Sequence, residues 1–386
     1  MSGEGMTGAG FPGRPRIVFV TGTRADFGKL KPLMLRVAAD ERFEYAIFVT
    51  GMHLLARYGS TANEIRKSGF TNVHPFINQD GAVTSQMDMV LAQTIQGLGY
   101  YLRESTPDLV VVHGDRVEAL AGAIAGALNN VLVAHIEGGE LSGTVDELIR
   151  HATSKLSHLH FVANDDARRR LEQMGERSEA IFVIGSPDVD VMLSPDLPSL
   201  DETLGRYEIP FRQYCIAIYH PVTTEQRFLE AHTEWFAKGL LDSGRNFVVI
   251  APNNDHGSEI IRLRFEKLEA NPRFRMIPSM RFEHFLRLLQ SADAIVGNSS
   301  AGIREAPVYG VPTIDVGSRQ HNRFQSPSIH HVPEDAAALT AALETLTRHE
   351  PCWHFGRGNS ADQFMRCIGT PSLWATERQK QFRDRA

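Results

Sequence analysis

The chain has 386 residues, a formal net charge of -6, and 42% hydrophobic and 22% charged residues. That length exceeds one ordinary hydrophobic core and divides naturally into two α/β domains. The acidic balance without a basic tract argues against a nucleic-acid partner, no apolar run is long enough for a membrane span, and Cys215, Cys352 and Cys367 fit neither a disulfide framework nor a metal spacing.

In chain order, residues 1–14 lack the apolar stretch of a signal peptide and are expected to form a disordered leader, with the cytoplasm as the expected compartment. Short β-branched runs then alternate with amphipathic segments, the pattern of a parallel sheet wrapped by helices. Strands are expected at Arg16–Thr21, Tyr45–Thr50, Leu109–His113, Val131–Ile136, Leu159–Val162 and Ile181–Ile184. Helices are expected near Gly28–Ala39, Ser85–Arg103, Arg116–Leu128, Val145–Leu156 and Asp165–Met174. Pro187 and Ser194-Pro-Asp-Leu-Pro-Ser-Leu200 interrupt the alternation and mark the expected domain boundary. A second series follows, with strands at Tyr214–Tyr219, Phe247–Ala251, Phe274–Ile277, Ala294–Val296 and Thr313–Val316. Its helices are expected near Thr224–Gly239, Ser258–Leu268, Arg281–Leu289, Gly302–Tyr309 and Ala336–Thr347. Two doubly wound sheets of this kind bind ligands outside the carboxyl ends of their strands.

Chemistry concentrates at those ends. Leu109–His113 and Val131–Ile136 are followed by Asp115 and Glu137, with Asp146-Glu147 shortly after. Several carboxylates around one cleft repel each other, which raises at least one pKa and creates a usable base. The competing reading is that each acid caps the helix behind it. His113 and His135 have no metal-binding spacing and read as packing histidines. In Val18-Phe-Val-Thr-Gly-Thr-Arg-Ala-Asp-Phe-Gly28, Arg24 sits in a βα turn and either forks onto phosphate or stays solvated. This is not a dinucleotide fingerprint.

In the second half, Gly297-Asn-Ser-Ser-Ala-Gly302 is a donor-rich turn opening a helix and suits an anionic phosphate through Ser299 and Ser300. His220, held extended by Pro221, either faces the ligand or is structural. Asn253 ends the next strand with hydrogen-bonding groups, Glu305 could accept from ribose hydroxyls, and Arg319 and Arg323 follow the last strand. Acids in one half and an anion cradle in the other point to a nucleotide-activated substrate shared by two domains.

Together these motifs resemble the hydrolysing UDP-N-acetylglucosamine 2-epimerases. The resemblance rests on Thr21-Gly-Thr-Arg-Ala-Asp-Phe-Gly28, Thr50-Gly-Met-His-Leu54, His113-Gly-Asp-Arg116 and His135-Ile-Glu-Gly-Gly139. It extends to Asp190, His220-Pro221, Pro252-Asn-Asn-Asp255, Gly297-Asn-Ser-Ser-Ala-Gly302 and Gly317-Ser-Arg-Gln320. It implies the GT-B architecture, two Rossmann-like doubly wound parallel-sheet domains with a cleft between them. The expected division is 15–190, with the catalytic acids, and 191–369, with the UDP site; a helix over 370–386 returns to the first domain.

The resemblance further implies catalytic roles for Asp115, Glu137, Asp146 and His220, and UDP contacts from Arg24, Arg116, Asn253, Ser299, Ser300, Glu305 and Arg319. It implies a UDP-sugar substrate, no required metal or cofactor, and a homodimer or homotetramer. The reaction would release N-acetylmannosamine and UDP through a 2-acetamidoglucal, for sialic acid-type synthesis. The non-hydrolysing relatives carry Thr-Gly-Gln-His-Arg where this chain has Met52 and Leu54, which favours hydrolysis. Arg357 stands where family members often carry an acid, so that loop receives no role. Three other readings are a UDP-2,4-diacetamido-2,4,6-trideoxyglucose substrate, decided around Arg57–Ser60 and Asp80–Gln86, a GT-B glycosyltransferase, and a nucleotide-sugar sensor without turnover, which the full acid set disfavours.

Overall fold

The computed structural model describes residues 13–55, 61–79, 86–142, 145–222, 225–252 and 257–382. The chain forms two compact units, the first made of Met1–Glu140, Asp146–Asp190 and Gly356–Ala386, the second of Leu141–Val145 and Val191–Phe355. Each is a Rossmann-like parallel sheet covered by helices, the two-domain composition of the GT-B class.

Unit one contains β1 (Arg16–Thr21), β2 (Glu44–Val49), β3 (Val73–Pro75), β4 (Leu109–His113), β5 (Leu132–Ile136), β6 (Leu159–Val162) and β7 (Ile181–Val183). Their spatial order is β3-β2-β1-β4-β5-β6-β7. Its helices are α1 (Arg24–Ala38), α2 (Ala62–Lys67), α3 (Met87–Ser105), α4 (Val117–Leu128), α5 (Val145–Leu156), α6 (Asp165–Gln173) and α7 (Pro187–Met192).

The central strands are apolar at most positions because helices cover both faces. Ile17 and Phe19 of β1 pack under α1 through Leu30, Leu33 and Met34. Val18 and Val20 point the other way, toward Leu98 of α3 and Ala123 of α4. α4 lies so close to the sheet that a Cβ at its Gly122 would come within 2.5 Å of Val112. That contact explains a glycine in a helix interior, which otherwise costs about 1 kcal/mol.

Unit two holds α8 (Leu200–Arg206), β8 (Cys215–Ile218), α9 (Leu229–Asp242), β9 (Phe247–Ile250), α10 (Ser258–Glu266), β10 (Phe274–Ile277) and α11 (Phe282–Ser291). It continues with β11 (Ala294–Gly297), α12 (Ala301–Arg304), β12 (Thr313–Val316), β13 (Ile329–Val332) and α13 (Ala336–Glu344), in sheet order β10-β9-β8-β11-β12-β13. Cys215 is fully buried on the α9 face, beside Phe236 and Leu240, and behaves as a small hydrophobe.

Several expectations change. β3 and β13 are edge strands, Val-His-Pro and Ile-His-His-Val, too polar to show as strands in the pattern. Pro187 does not break the chain but opens α7, whose first-turn amide needs no partner. The stretch behind Gly297 forms a four-residue α12 and then a 3₁₀ turn, Ala306–Tyr309, with Pro307 inside, instead of one helix to Tyr309.

The helix expected over 370–386 is corrected too, over the described residues 370–382. The segment assigned to unit one carries α14 (Ser360–Ile368) and a short α15 (Pro371–Trp374). α14 buries Ala361, Phe364 and Ile368 in the β1–α1 core, and Asp190 caps it by accepting from the Ser360 and Ala361 amides at 2.9 and 2.8 Å. Past Trp374 no apolar periodicity remains to sustain a helix. No helix among the described residues is long and apolar enough to cross a membrane.

Candidate functional site

Each sheet reverses its winding once, between β1 and β4 in unit one and between β8 and β11 in unit two. The loops leaving those four strands are the ones that carry the motifs: Gly22–Arg24, Gly114–Arg116, Tyr219–Pro221 and Asn298–Gly302.

Unit one gathers the acids. β4 and β5 pair in parallel with His113 beside Ile136, so the residues just past both strands emerge together. Glu137 is 3% exposed and sits at φ +63°, a left-handed conformation that non-glycine residues adopt only when their surroundings impose it. Its Oε1 accepts from Ser186 Oγ, and its Oε2 lies 3.3 Å from His113 Nε2 and 3.9 Å from Lys29 Nζ. Lys29 also reaches Asp188 Oδ2 at 3.2 Å. Arg150 of α5 binds the Asp115 carboxylate through Nη2 and donates to the Glu137 carbonyl through Nη1 at 2.7 Å. One guanidinium therefore ties both acids together.

These contacts bear on the capping alternative. The helix after Glu137 starts only at Val145, and the N-cap of α4 is Arg116, not Asp115. Asp146 lies in the first turn of α5, one turn before Arg150 on the same face. Arg116, with its side chain 43% exposed, has Glu118 Oε2 at 3.4 Å from its Nε.

The β1 loop is organised by a residue the motif reading passed over. Asp26 accepts from the Gly22 and Thr23 amides and from the Thr21 and Thr23 hydroxyls, and closes a capping box with Thr23. Arg24 opens α1 and pairs with Glu64 at 3.0 Å, so it is neither free nor simply solvated. His53, fully buried, spans Thr21 and Thr61, and burial pushes its pKa down.

His135 fulfils its packing role: fully buried, it bonds Ser154 and the Gly114 carbonyl, and burial pushes its pKa down to about 3. His113 does not behave as a packing histidine. It sits at a strand tip with its ring against Glu137.

Unit two is organised by Asn298, 1% exposed. Its side chain accepts from the His220 amide at 2.7 Å and donates to the His220 carbonyl at 2.9 Å. Its own carbonyl accepts from Arg319 Nη1 at 3.1 Å and Gln320 Nε2 at 2.8 Å. One buried amide thus fixes His220, the Ser299-Ser300 turn and Arg319 together. Gly297 makes this possible: at φ +126°, an added Cβ would lie 1.9 Å from the Ile218 carbonyl oxygen. Ser299 Oγ accepts from the Ala301 amide at 3.3 Å, and Glu305, 5% exposed, ends α12. Asn253 lies outside the described residues.

Among the described residues, three potential metal-ligating side chains converge at Glu225, His232 and Glu334, none of them an expected site residue. Sequence reasoning missed Lys29, Arg150, Ser186, Asp188 and Asn298. Charge in an amphipathic helix looks like solvated surface, and only tertiary placement turns Lys29 and Arg150 inward.

Fold and site therefore define a protein of two Rossmann-like domains with polar sites at both switch points, one rich in acids and the other in hydroxyl and guanidinium donors. The sequence model of the UDP-N-acetylglucosamine 2-epimerase family matches residues 35–369, and the chain belongs to that family. It is 46% identical over 375 residues to a UDP-N-acetylglucosamine 2-epimerase of Neisseria meningitidis serogroup B, covering 96% of this chain and 99% of that one. It is 35% identical over 366 residues to a Legionella pneumophila UDP-N,N'-diacetylbacillosamine 2-epimerase (hydrolyzing), covering 93% and 96%. Among solved structures, a Methanocaldococcus jannaschii UDP-GlcNAc 2-epimerase in complex with UDP-GlcNAc and UDP matches with a TM-score of 0.77 at 20% identity, covering 92% of this chain and 99% of that one.

Proposed function

We propose that the chain is a hydrolysing 2-epimerase that converts UDP-N-acetylglucosamine to N-acetylmannosamine and UDP. A carboxylate takes the C2 proton as the C1–O bond breaks, and UDP leaves with the bonding pair, forming the C1=C2 bond of a 2-acetamidoglucal. Water then adds, its hydroxyl to C1 and a proton to C2 on the opposite face. Neither the elimination nor the hydration passes through an oxidised or reduced intermediate, so the chemistry requires no nicotinamide.

The observation that carries this reading is Glu137. A buried carboxylate held in a left-handed backbone conformation, with a lysine, a histidine and a serine hydroxyl aimed at it, is built to exchange a proton rather than to cap a helix. We assign it as the base at C2, with Asp115 and Asp146 completing the acid set and His220 assisting near the diphosphate. No neighbouring carbonyl delocalises charge at C2, so departure of UDP must be well advanced when the proton leaves. Arg24, Arg116, Ser299, Ser300 and Arg319 are assigned to the diphosphate, where one well-placed donor is worth on the order of 3 kcal/mol. Asn253 and Glu305 are assigned to the nucleoside.

The Legionella relative favours a second reading, the same chemistry on UDP-2,4-diacetamido-2,4,6-trideoxyglucose. Of the segments expected to choose between the sugars, residues 57–60 and 80–85 lie outside the described residues. Incubation with each UDP-sugar, followed by phosphorus NMR and sugar analysis, tests both readings. The proposal expects UDP-N-acetylglucosamine to yield free UDP and N-acetylmannosamine faster than the diacetamido sugar reacts. Faster turnover of the latter would transfer the assignment to it. A standing mixture of two UDP-sugars would overturn hydrolysis.

A further inference from the structure

The acid cluster contains a cation whose charge is divided between two carboxylates. Lys29 of α1 is a mostly buried lysine, its side chain 15% exposed. Its Nζ is 3.2 Å from Asp188, in the first turn of α7, and 3.9 Å from Glu137, just past β5. Both carboxylates are nearly inaccessible, at 2% and 3% exposure. The loop Ser186-Pro187-Asp188 supplies the competing acid at Asp188 and the hydroxyl that binds Glu137 Oε1 at Ser186. His113 at the tip of β4 also faces Glu137, as does Arg150 of α5, which holds the Glu137 carbonyl and the Asp115 carboxylate.

We propose that Lys29 and Asp188 act as a positioning pair for Glu137, with Lys29 holding the carboxylate ionised and Asp188 limiting how strongly that charge acts. The inference rests on the assignment of Glu137 as the base at C2. A lysine alone beside a buried carboxylate would keep it charged but make it a weak base, since an opposite charge at this range lowers a carboxyl pKa by about 1–3 units. Asp188, closer to the ammonium, takes part of that field and restores proton affinity. A base that takes a proton from carbon needs both properties: it must be ionised at working pH and still bind a proton well.

The two substitutions have opposite expected effects. Lys29→Met removes the cation and moves the acidic limb of the kcat/KM pH profile upward by about one unit or more. Asp188→Asn removes the competing negative charge beside Lys29, moves the same limb downward, and lowers plateau kcat without raising KM. Lys29→Arg keeps the charge and leaves the limb near its original position. Carbon NMR of protein labelled at glutamate Cδ, with the Glu137 signal assigned by its loss in Glu137→Gln, reads the same ionisation without turnover.

Opposite displacements of the Glu137 titration in Lys29→Met and Asp188→Asn support the proposal, and Asp188→Asn, which preserves shape, carries the test if Lys29→Met does not fold. A titration unmoved in folded Asp188→Asn, or moved in the same direction in both variants, overturns it. Opposite displacements by NMR with an unmoved rate profile would uphold the pair and refute the role of Glu137 as base.

Discussion

Asp115, just past β4, and His135, on the neighbouring β5, are held by contacts of opposite character. Asp115 is tied to Arg150 at the mouth of the sheet, while His135 is sealed beneath it between Ser154 and Gly114. Asp115→Asn keeps the size of the side chain and removes its charge and its capacity to take a proton, so the variant is expected to fold and bind UDP while losing about 10²–10⁴ in turnover. Turnover within a few-fold of the parent, measured alongside UDP calorimetry, would reduce Asp115 to a structural partner of Arg150.

His135 makes a different prediction, about stability. Its pKa is pushed down to about 3 in the folded protein, against about 6.5 in an unfolded chain. Between those values the unfolded chain takes up a proton that the folded protein refuses. Stability therefore falls as pH is lowered through that window, by up to about 1.4 kcal/mol per unit from this group. His158 and His160, whose pKa values burial also lowers, add to the same slope. Urea melts at about pH 6 and pH 5 should show a shallower loss in His135→Gln than in the parent. Equal slopes would contradict the assignment of His135 as a buried neutral group.

Among elements, the carboxyl-terminal segment is bound to unit one by polar anchors as well as by apolar packing. Asp190 caps α14, and further on Lys380 Nζ reaches Glu176 Oε2 at 2.5 Å and the Ser157 carbonyl at 2.6 Å. Glu176, 7% exposed, also accepts from His160 and Lys155. Burial pushes its pKa up, but the bond and charge of His160, with Lys380, outweigh this and bring it to about 2. A carboxyl depressed in the folded state stabilises above its unfolded pKa, and that stability is lost as pH falls from about 4.5 toward 2. A double-mutant cycle of Glu176→Gln and Lys380→Met, read by chemical denaturation, should give a coupling of about 1–3 kcal/mol at neutral pH. The coupling should shrink as the solution becomes acidic. A value near zero at neutral pH would mean that the tail lies on the surface without being held by this pair.

The same two elements show what a sequence can and cannot reveal. β4 and β5 were legible because strands covered on both faces are apolar at nearly every residue, and Asp115 and Glu137 were legible because acids follow that run where the strand ends. Edge strands β3 and β13 were not, since Val-His-Pro and Ile-His-His-Val carry the polarity of exposed loops. The returning helix was placed too late because its apolar face, Ala361, Phe364 and Ile368, is short. Its anchor, Asp190, lies 170 residues earlier in the chain. Lys29, Arg150 and Asp188 stayed hidden for the same reason: a charged residue on a helix reads as solvated until another element is folded against it.

At the scale of the whole molecule, two units of one architecture present different chemistry at equivalent places. Unit one offers carboxylates at the β1/β4 switch point, and unit two offers His220, serine hydroxyls and Arg319, held by Asn298, at the β8/β11 switch point. The proposed reaction needs both sets on one UDP-sugar, the first to move a proton at C2 and the second to stabilise the departing diphosphate. Solvent isotope incorporation tests that claim most directly. Turnover of UDP-N-acetylglucosamine in D₂O should release UDP together with N-acetylmannosamine carrying deuterium at C2. N-acetylmannosamine that keeps its original hydrogen at C2 would contradict abstraction of that proton by an enzyme carboxylate and, with it, the account given for Glu137.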